Sequence, residues 1–207
     1  DLIFGTIDIK VENAIKKMNY EPNMLGRNLR RSENKFILAL LPNISNPFYA
    51  AIIKGIEDTA MSQGYNVILC QTDAGPEREK SYLNLLKQKL ADGVINLDPI
   101  LDENFLMNIG KNHPIIQCCE YSENLDITYV SIDNKAAAYK AVNHLISIGH
   151  KSIALINSNE KYVYARQRKE GYIKALIDSN IKPKDKWIVN VDLDFESAQN
   201  AVKYLLS

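Results

Sequence analysis

From Phe36 onward, short apolar or β-branched runs alternate with helical stretches, and this rhythm limits the fold more than any other feature of the chain. The runs read "FILALLP", "NVILCQT", "GVINLDP", "IIQCCEY", "YVSIDN", "SIALINS" and "WIVNVDL". Helical patterns at 47–63, 76–90, 102–112, 135–147, 162–179 and 196–206 separate most of them. In the second pattern Tyr82, Leu83, Leu86 and Leu90 line one face; in the fourth Ala138, Ala141, Val142, Leu145 and Ile146 do. Near-continuous apolar strands are the kind buried on both faces, so the alternation predicts an α/β fold with parallel strands and helices on either side. The rhythm breaks at 121–134, where "IIQCCEY" and "YVSIDN" are joined by a short polar loop alone. That break predicts a crossover between two α/β subdomains, 36–130 and 131–207.

Ahead of this pattern, "KVENAIKKMNY" sets Val11, Ala14, Ile15 and Met18 at i, i+3, i+4 and i+7, the spacing of a short amphipathic helix. Pro22 biases Glu21 away from helical dihedrals and marks a break. "PNMLGRNLRR" then reads helical again, with too few apolar residues to bury much by itself, and "SENK" is a polar joint. Residues 1–35 are therefore expected to stand apart from the α/β part. At the other end "FESAQNAVKYLLS" is a helix with no strand after it, so the second subdomain reads as unfinished and the sequence as a fragment cut at both ends.

The 25 basic and 25 acidic residues cancel, so no global field draws this chain toward nucleic acid or membrane, and any polyanion contact must be local. No apolar run approaches the roughly 18 to 20 residues that a membrane-spanning helix needs. "DLIFGTIDIK" lacks the basic start and long apolar centre of a secretory signal. Cys70, Cys118 and Cys119 are an odd count in apolar runs; buried reduced thiols are expected, which fits a cytoplasmic protein.

The motifs of catalysis are missing. The closest glycines, Gly55 and Gly64, are nine apart, which excludes a dinucleotide fingerprint and a phosphate-cradling P-loop. No H-E-x-x-H, C-x-x-C or G-x-S-x-G occurs. His113, His144 and His150 are scattered, off the spacing for shared metal ligation, and read as caps or surface residues. No enzyme activity, cofactor or metal is expected.

Four stretches carry a functional suggestion, each with a plainer alternative. "NISNPFYAAIIKGIE" puts Phe48 and Tyr49 in the turn after the first strand, where ligands of open α/β sheets bind, although both rings could simply plug the core. "SIDNK" sets Asp133 and Asn134 at a strand end, able to hold ligand hydroxyls or to cap the next helix. "YARQRKEGY" sets Arg166 and Arg168 at the opening of a helix, where two cations oppose the helix dipole and gain by contacting hydroxyls or carboxylates; exposed arginines there are otherwise just solvated. "VNVDLDFES" offers Asp192 and Asp194 beside Leu193 and Phe195, with Asp194 or Ser197 as the capping alternative. All four lie at carboxyl ends of strands, two before the crossover region and two after it. They can converge only if two sheets face each other across a cleft.

The chain resembles the bacterial lac repressor and purine repressor family of transcription regulators. The resemblance is carried by "AIKKMNYEPNMLGRNLRR", "SNPFYAAIIKGIEDTAMSQGYNVIL", "EREKSYLNLLKQKLADGVI", "VSIDN…AVNHLISIGHKSIALI" and "ARQRKEGYIKAL", in family order over nearly the whole sequence. It implies a helical DNA-binding headpiece, a hinge helix and an effector-binding core of two Rossmann-like subdomains of the periplasmic-binding-protein type. Residues 1–35 would be the remnant of the headpiece plus the hinge helix. It further implies a homodimer, sometimes a tetramer, whose grip on operator DNA changes when a sugar or nucleoside-type effector binds; no membrane is involved.

Carried over residue by residue, the resemblance places Phe48 and Tyr49 at the cleft after the first strand, and Asp133 and Asn134 at the polar strand end of the crossover. It makes Arg168 the arginine that binds effector hydroxyls or a carboxylate, and Arg166 its neighbour. Leu193 falls where many members have an aromatic ring that stacks on a sugar or base, with Phe195 as a substitute nearby. In the hinge, Leu29 would wedge into the central base step of the minor groove, with Arg27, Arg30 and Asn23 near backbone or groove floor. A helix of about eight residues is unstable alone, so dimer geometry would control it. A periplasmic-type solute-binding protein is the alternative, but it leaves "KKMNYEPNMLGRNLRR" without a purpose.

Overall fold

The structure, a computed structural model, describes residues 11–18, 34–100 and 102–207. The hinge residues Asn23, Arg27, Leu29 and Arg30 lie outside the described residues. Residues 11–18 form a helix (α1) with all its side chains exposed, Val11, Ile15 and Met18 included.

Five parallel strands make the first sheet: β1 (Phe36–Leu41), β2 (Asn66–Gln71), β3 (Gly93–Asn96), β4 (Ile115–Cys118) and β5 (Tyr129–Val130), in the order β2-β1-β3-β4-β5. The helices between them are α2 (Pro47–Ser62), α3 (Pro76–Lys87) and α4 (Glu103–Gly110). The interior strand β1 is apolar throughout because both its faces are covered. Leu38 and Leu40 pack with Leu83 and Leu86 of α3 and Leu106 and Ile109 of α4. Ala39 and Leu41 pack on the opposite face with Ile53 of α2 and with Leu97. Each leucine so buried contributes about 1.5–3 kcal/mol before its ordering entropy is subtracted. Leu90 falls beyond the end of α3 and is exposed, so the helical face stops at Leu86.

The second sheet has two parallel strands, β6 (Leu155–Asn157) and β7 (Ile188–Asn190). Around it lie α5 (Asn134–Ser147), α6 (Val163–Asp178) and α7 (Phe195–Leu206). Val142 of α5 and Tyr172, Ala175 and Leu176 of α6 form a core with Ile153, while Leu145 is exposed. Gly171 makes the α5–α6 contact close: a Cβ there would lie 3.0 Å from Ala138 Cβ and overlap the Lys135 carbonyl.

Between β4 and β5 the chain crosses without a helix. Cys119 has φ +72°, a left-handed conformation that a residue with a side chain rarely adopts. Strand alternation sends neighbouring side chains to opposite faces. The turn at Cys119 ends that alternation and leaves the Cys118 and Cys119 sulfurs 3.7 Å apart. All three cysteines are free thiols; Cys70 is buried, whereas Cys118 and Cys119 are only half-buried, because the strand stops at Cys118.

Candidate functional site

In the first sheet β2 and β3 flank β1 on opposite sides, so the chain reverses its direction of travel between β1 and β3. Loops leaving the carboxyl ends of such strands diverge and open a crevice. A cavity of about 390 Å³ lies there, within the ordinary range for a small-molecule site. Its first wall is the loop after β1 (Asn43, Asn46) with the first turn of α2 (Phe48, Tyr49), the residues after β3 (Leu97, Asp98) and those after β4 (Cys119, Glu120). Its second wall is the loop after β6 (Ser158, Asn159, Lys161), the start of α6 (Tyr162, Tyr164, Arg168) and the residues after β7 (Asp192, Leu193).

Pro47 opens α2, and Asn46 caps it by accepting from Phe48 N at 3.0 Å. This cap fixes Phe48 and Tyr49 in the first turn, with ring centroids 5.3 Å apart and edge to face. Phe48 is half exposed to the cavity mouth, whereas Tyr49 packs against the β1 core; burial, then the nearby Asp98, pushes the Tyr49 phenol well up. Across the cavity Tyr162 and Tyr164 stack with centroids 5.3 Å apart. Tyr164 Oη donates to or accepts from Ser158 Oγ at 3.2 Å.

The Arg168 guanidinium carbon lies 4.9 Å from the Tyr164 ring centroid, and its Nε donates to Asn134 Oδ1 at 2.9 Å. Asn134 is only 2% exposed, so it holds the arginine from behind and does not itself line the cavity. Asp133 caps α5, accepting from Ala136 N at 2.8 Å. Arg166 points elsewhere: it donates to Glu123 Oε2 at 2.7 Å and to the carbonyls of Glu160 and Lys161, beside a neighbouring smaller cavity. Leu193 lines the cavity and is 72% exposed, while Phe195 is 82% exposed and off the cavity. Asp194 caps α7 through Ser197 N at 2.8 Å. The structure thus brings Phe48, Tyr49, Arg168 and Leu193 together on one cavity and sets Asp133, Asn134 and Arg166 behind or beside it.

Sequence reasoning missed two carboxylates. Glu120 accepts from Val163 N at 2.8 Å, giving α6 the cap that its own N-terminal residue does not supply. The bond ties the loop after β4 to the other wall. Burial raises the Glu120 pKa and these backbone donors partly lower it again. Asp98 is 8% exposed, and among the described residues no donor reaches its carboxylate. Burial, with Glu120 and Glu79 adding negative charge, pushes its pKa up to about 6, and Lys161 offsets part of that. Asp98 could have been found by the rule that picked the other stretches, since "GVINLDP" places it just past a strand's carboxyl end.

Two parallel sheets that turn the carboxyl ends of their strands toward one polar, aromatic-lined cavity define the two-lobed α/β binding proteins. Residues 34–207 match the family of periplasmic binding proteins and sugar-binding domains of the LacI family, and the chain belongs to that family. It is 34% identical over 198 residues to the HTH-type transcriptional repressor CytR of Escherichia coli (strain K12), covering 95% of this chain and 58% of the relative. It is 39% identical over 177 residues to the NTD biosynthesis operon regulator NtdR of Bacillus subtilis (strain 168), covering 84% of this chain and 53% of that protein. The solved structure of the transcription regulator CcpA of Lactococcus lactis superposes with a TM-score of 0.75 at 29% identity, covering 83% of this chain and 64% of that one. The chain thus spans little more than half the length of these curated relatives. Among the described residues no helix is long and apolar enough to cross a membrane.

Proposed function

We propose that this chain is the effector-binding part of a transcriptional repressor, and that its cavity takes a sugar or nucleoside-type small molecule that controls operator binding. One observation carries the reading: Arg168, held by Asn134 and laid over Tyr164, faces Phe48 and Tyr49 across a cavity built from strand ends of both sheets. Rings that stack and a fixed guanidinium that donates are the complement of a polyol or a base. In this reading residues 36–130 and 131–207 act as the two lobes, and 1–35 link them to DNA. Closure of the lobes on an effector changes how a homodimer presents its hinge segments, with Leu29 wedging into the minor groove and Arg27, Arg30 and Asn23 beside it. The protein works without catalysis, in the cytoplasm.

The test is a mobility-shift assay of the intact gene product on the DNA upstream of its own gene, at several salt concentrations. A retarded band that weakens steeply with salt supports the reading. No band at any salt leaves a solute-binding protein as the answer. Leu29→Ala should lower operator affinity; unchanged affinity removes the wedge.

A further inference from the structure

Asp98 is a cavity residue whose chemistry the proposed function does not use. Its side chain is almost wholly buried, it lines the cavity, and its carboxylate has no donor among the described residues. The carboxylate oxygens reach the solvent of the cavity, and closure of the cavity on a ligand would take them out of water without a partner, which is costly. The cavity's cations relieve it only in part. Arg168 is engaged by Asn134 and the Tyr164 ring, and the Lys161 ammonium lies 4.8 Å from the Tyr162 centroid with no ion pair to Asp98. Glu120 and Asp192 add further negative charge to the lining.

Resting on the reading of this cavity as the effector site, we infer that Asp98 selects an effector bearing a protonated amine, an amino sugar in chemical class, over the corresponding neutral sugar. An ammonium group gives Asp98 the donor it lacks and a charge of the opposite sign. Asn43, Asn46, Ser158 and Asn159 remain for the hydroxyls of the same ligand. An amino acid fits less well, because its own carboxylate would meet the same acidic lining.

The inference is tested by calorimetric titration of the intact gene product with three pairs of probes: D-glucosamine against D-glucose, D-galactosamine against D-galactose, and D-glucosamine against N-acetyl-D-glucosamine. A charge-assisted contact predicts that at least one amine binds about tenfold or more tighter than its neutral counterpart. Asp98→Asn should remove that advantage, so that the amine and its neutral counterpart bind alike. The N-acetyl probe deletes the charge on the ligand side and needs no variant, so a poorly folding Asp98→Asn protein does not spoil the test. Equal or tighter binding of the neutral probes overturns the amine preference but leaves the cavity as a sugar site. Binding of none of the probes overturns both.

Discussion

Arg168 Nε on α6 donates to Asn134 Oδ1 on α5 at 2.9 Å, so a residue outside the cavity fixes the orientation of a residue inside it. A guanidinium free to rotate would lose side-chain entropy on binding a ligand. Arg168→Ala should abolish the melting-point rise that a bound sugar produces. Asn134→Ala should weaken binding of the same sugar about fivefold, near 1 kcal/mol, without removing any ligand contact. Calorimetry on both variants checks this; unchanged affinity in Asn134→Ala removes its positioning role.

The same helix pair gives a stability prediction. Gly171 lies three residues beyond Arg168 on α6, where the two helices come closest. Gly171→Ala should cost about 1–3 kcal/mol, because a Cβ would overlap the Lys135 carbonyl and crowd Ala138. Gly55 on α2 is the control, since nothing lies within 4 Å of a Cβ built there. Gly55→Ala should stabilise by about 0.5–1 kcal/mol through helix propensity. Denaturant titrations of both variants decide it.

Asp98 should show a trade between stability and binding. Its folded pKa, near 6, lies above that of an exposed aspartate, so the native state binds the proton more tightly than the unfolded state does. Stability therefore falls as pH rises from about 4 through 6, and above that window ionised Asp98 costs the fold on the order of 3 kcal/mol. Asp98→Asn should melt higher than wild type at pH 7.5 and lose the difference by pH 4. Glu120 is shifted the same way, so only the difference between wild type and variant reports on Asp98. Equal melting points at pH 7.5 would contradict the account.

Cys118 should be the reactive thiol. Its pKa is lowered by the hydrogen bond from Cys119, against the effect of burial, while that of Cys119 is raised and burial pushes Cys70 up to about 11. The thiolate is the nucleophile, so iodoacetamide at pH 7.5 should label Cys118 first. Peptide mass spectrometry at low conversion reads the order; earlier labelling of Cys70 or Cys119 would contradict it.

The fold was legible wherever burial on two faces made a strand continuously apolar, as in "FILALL", whose six residues are β1. It was less legible where a strand is short. "SIALINS" promised a longer strand than Leu155–Asn157, and "YVSIDN" holds only Tyr129–Val130. The cavity was partly legible, because ring and arginine types at strand ends single out Phe48, Tyr49 and Arg168. Depth was not: nothing in "NLDPI" tells that Asp98 is buried, nor in "SIDNK" that Asn134 faces Arg168 while Asp133 merely caps a helix. Those distinctions arise from how α5 and α6 pack.

The central claim is that this cavity governs DNA binding, and one measurement meets it directly. The intact gene product is titrated with the probe sugar that binds best while its complex with upstream DNA is followed by mobility shift, for wild type and for Arg168→Ala. The account predicts that the sugar changes the fraction of bound DNA in wild type at least about tenfold in apparent affinity, within the ordinary range of allosteric coupling, and leaves Arg168→Ala unmoved. A wild-type complex indifferent to a sugar it demonstrably binds, or an equal response in Arg168→Ala, would contradict it.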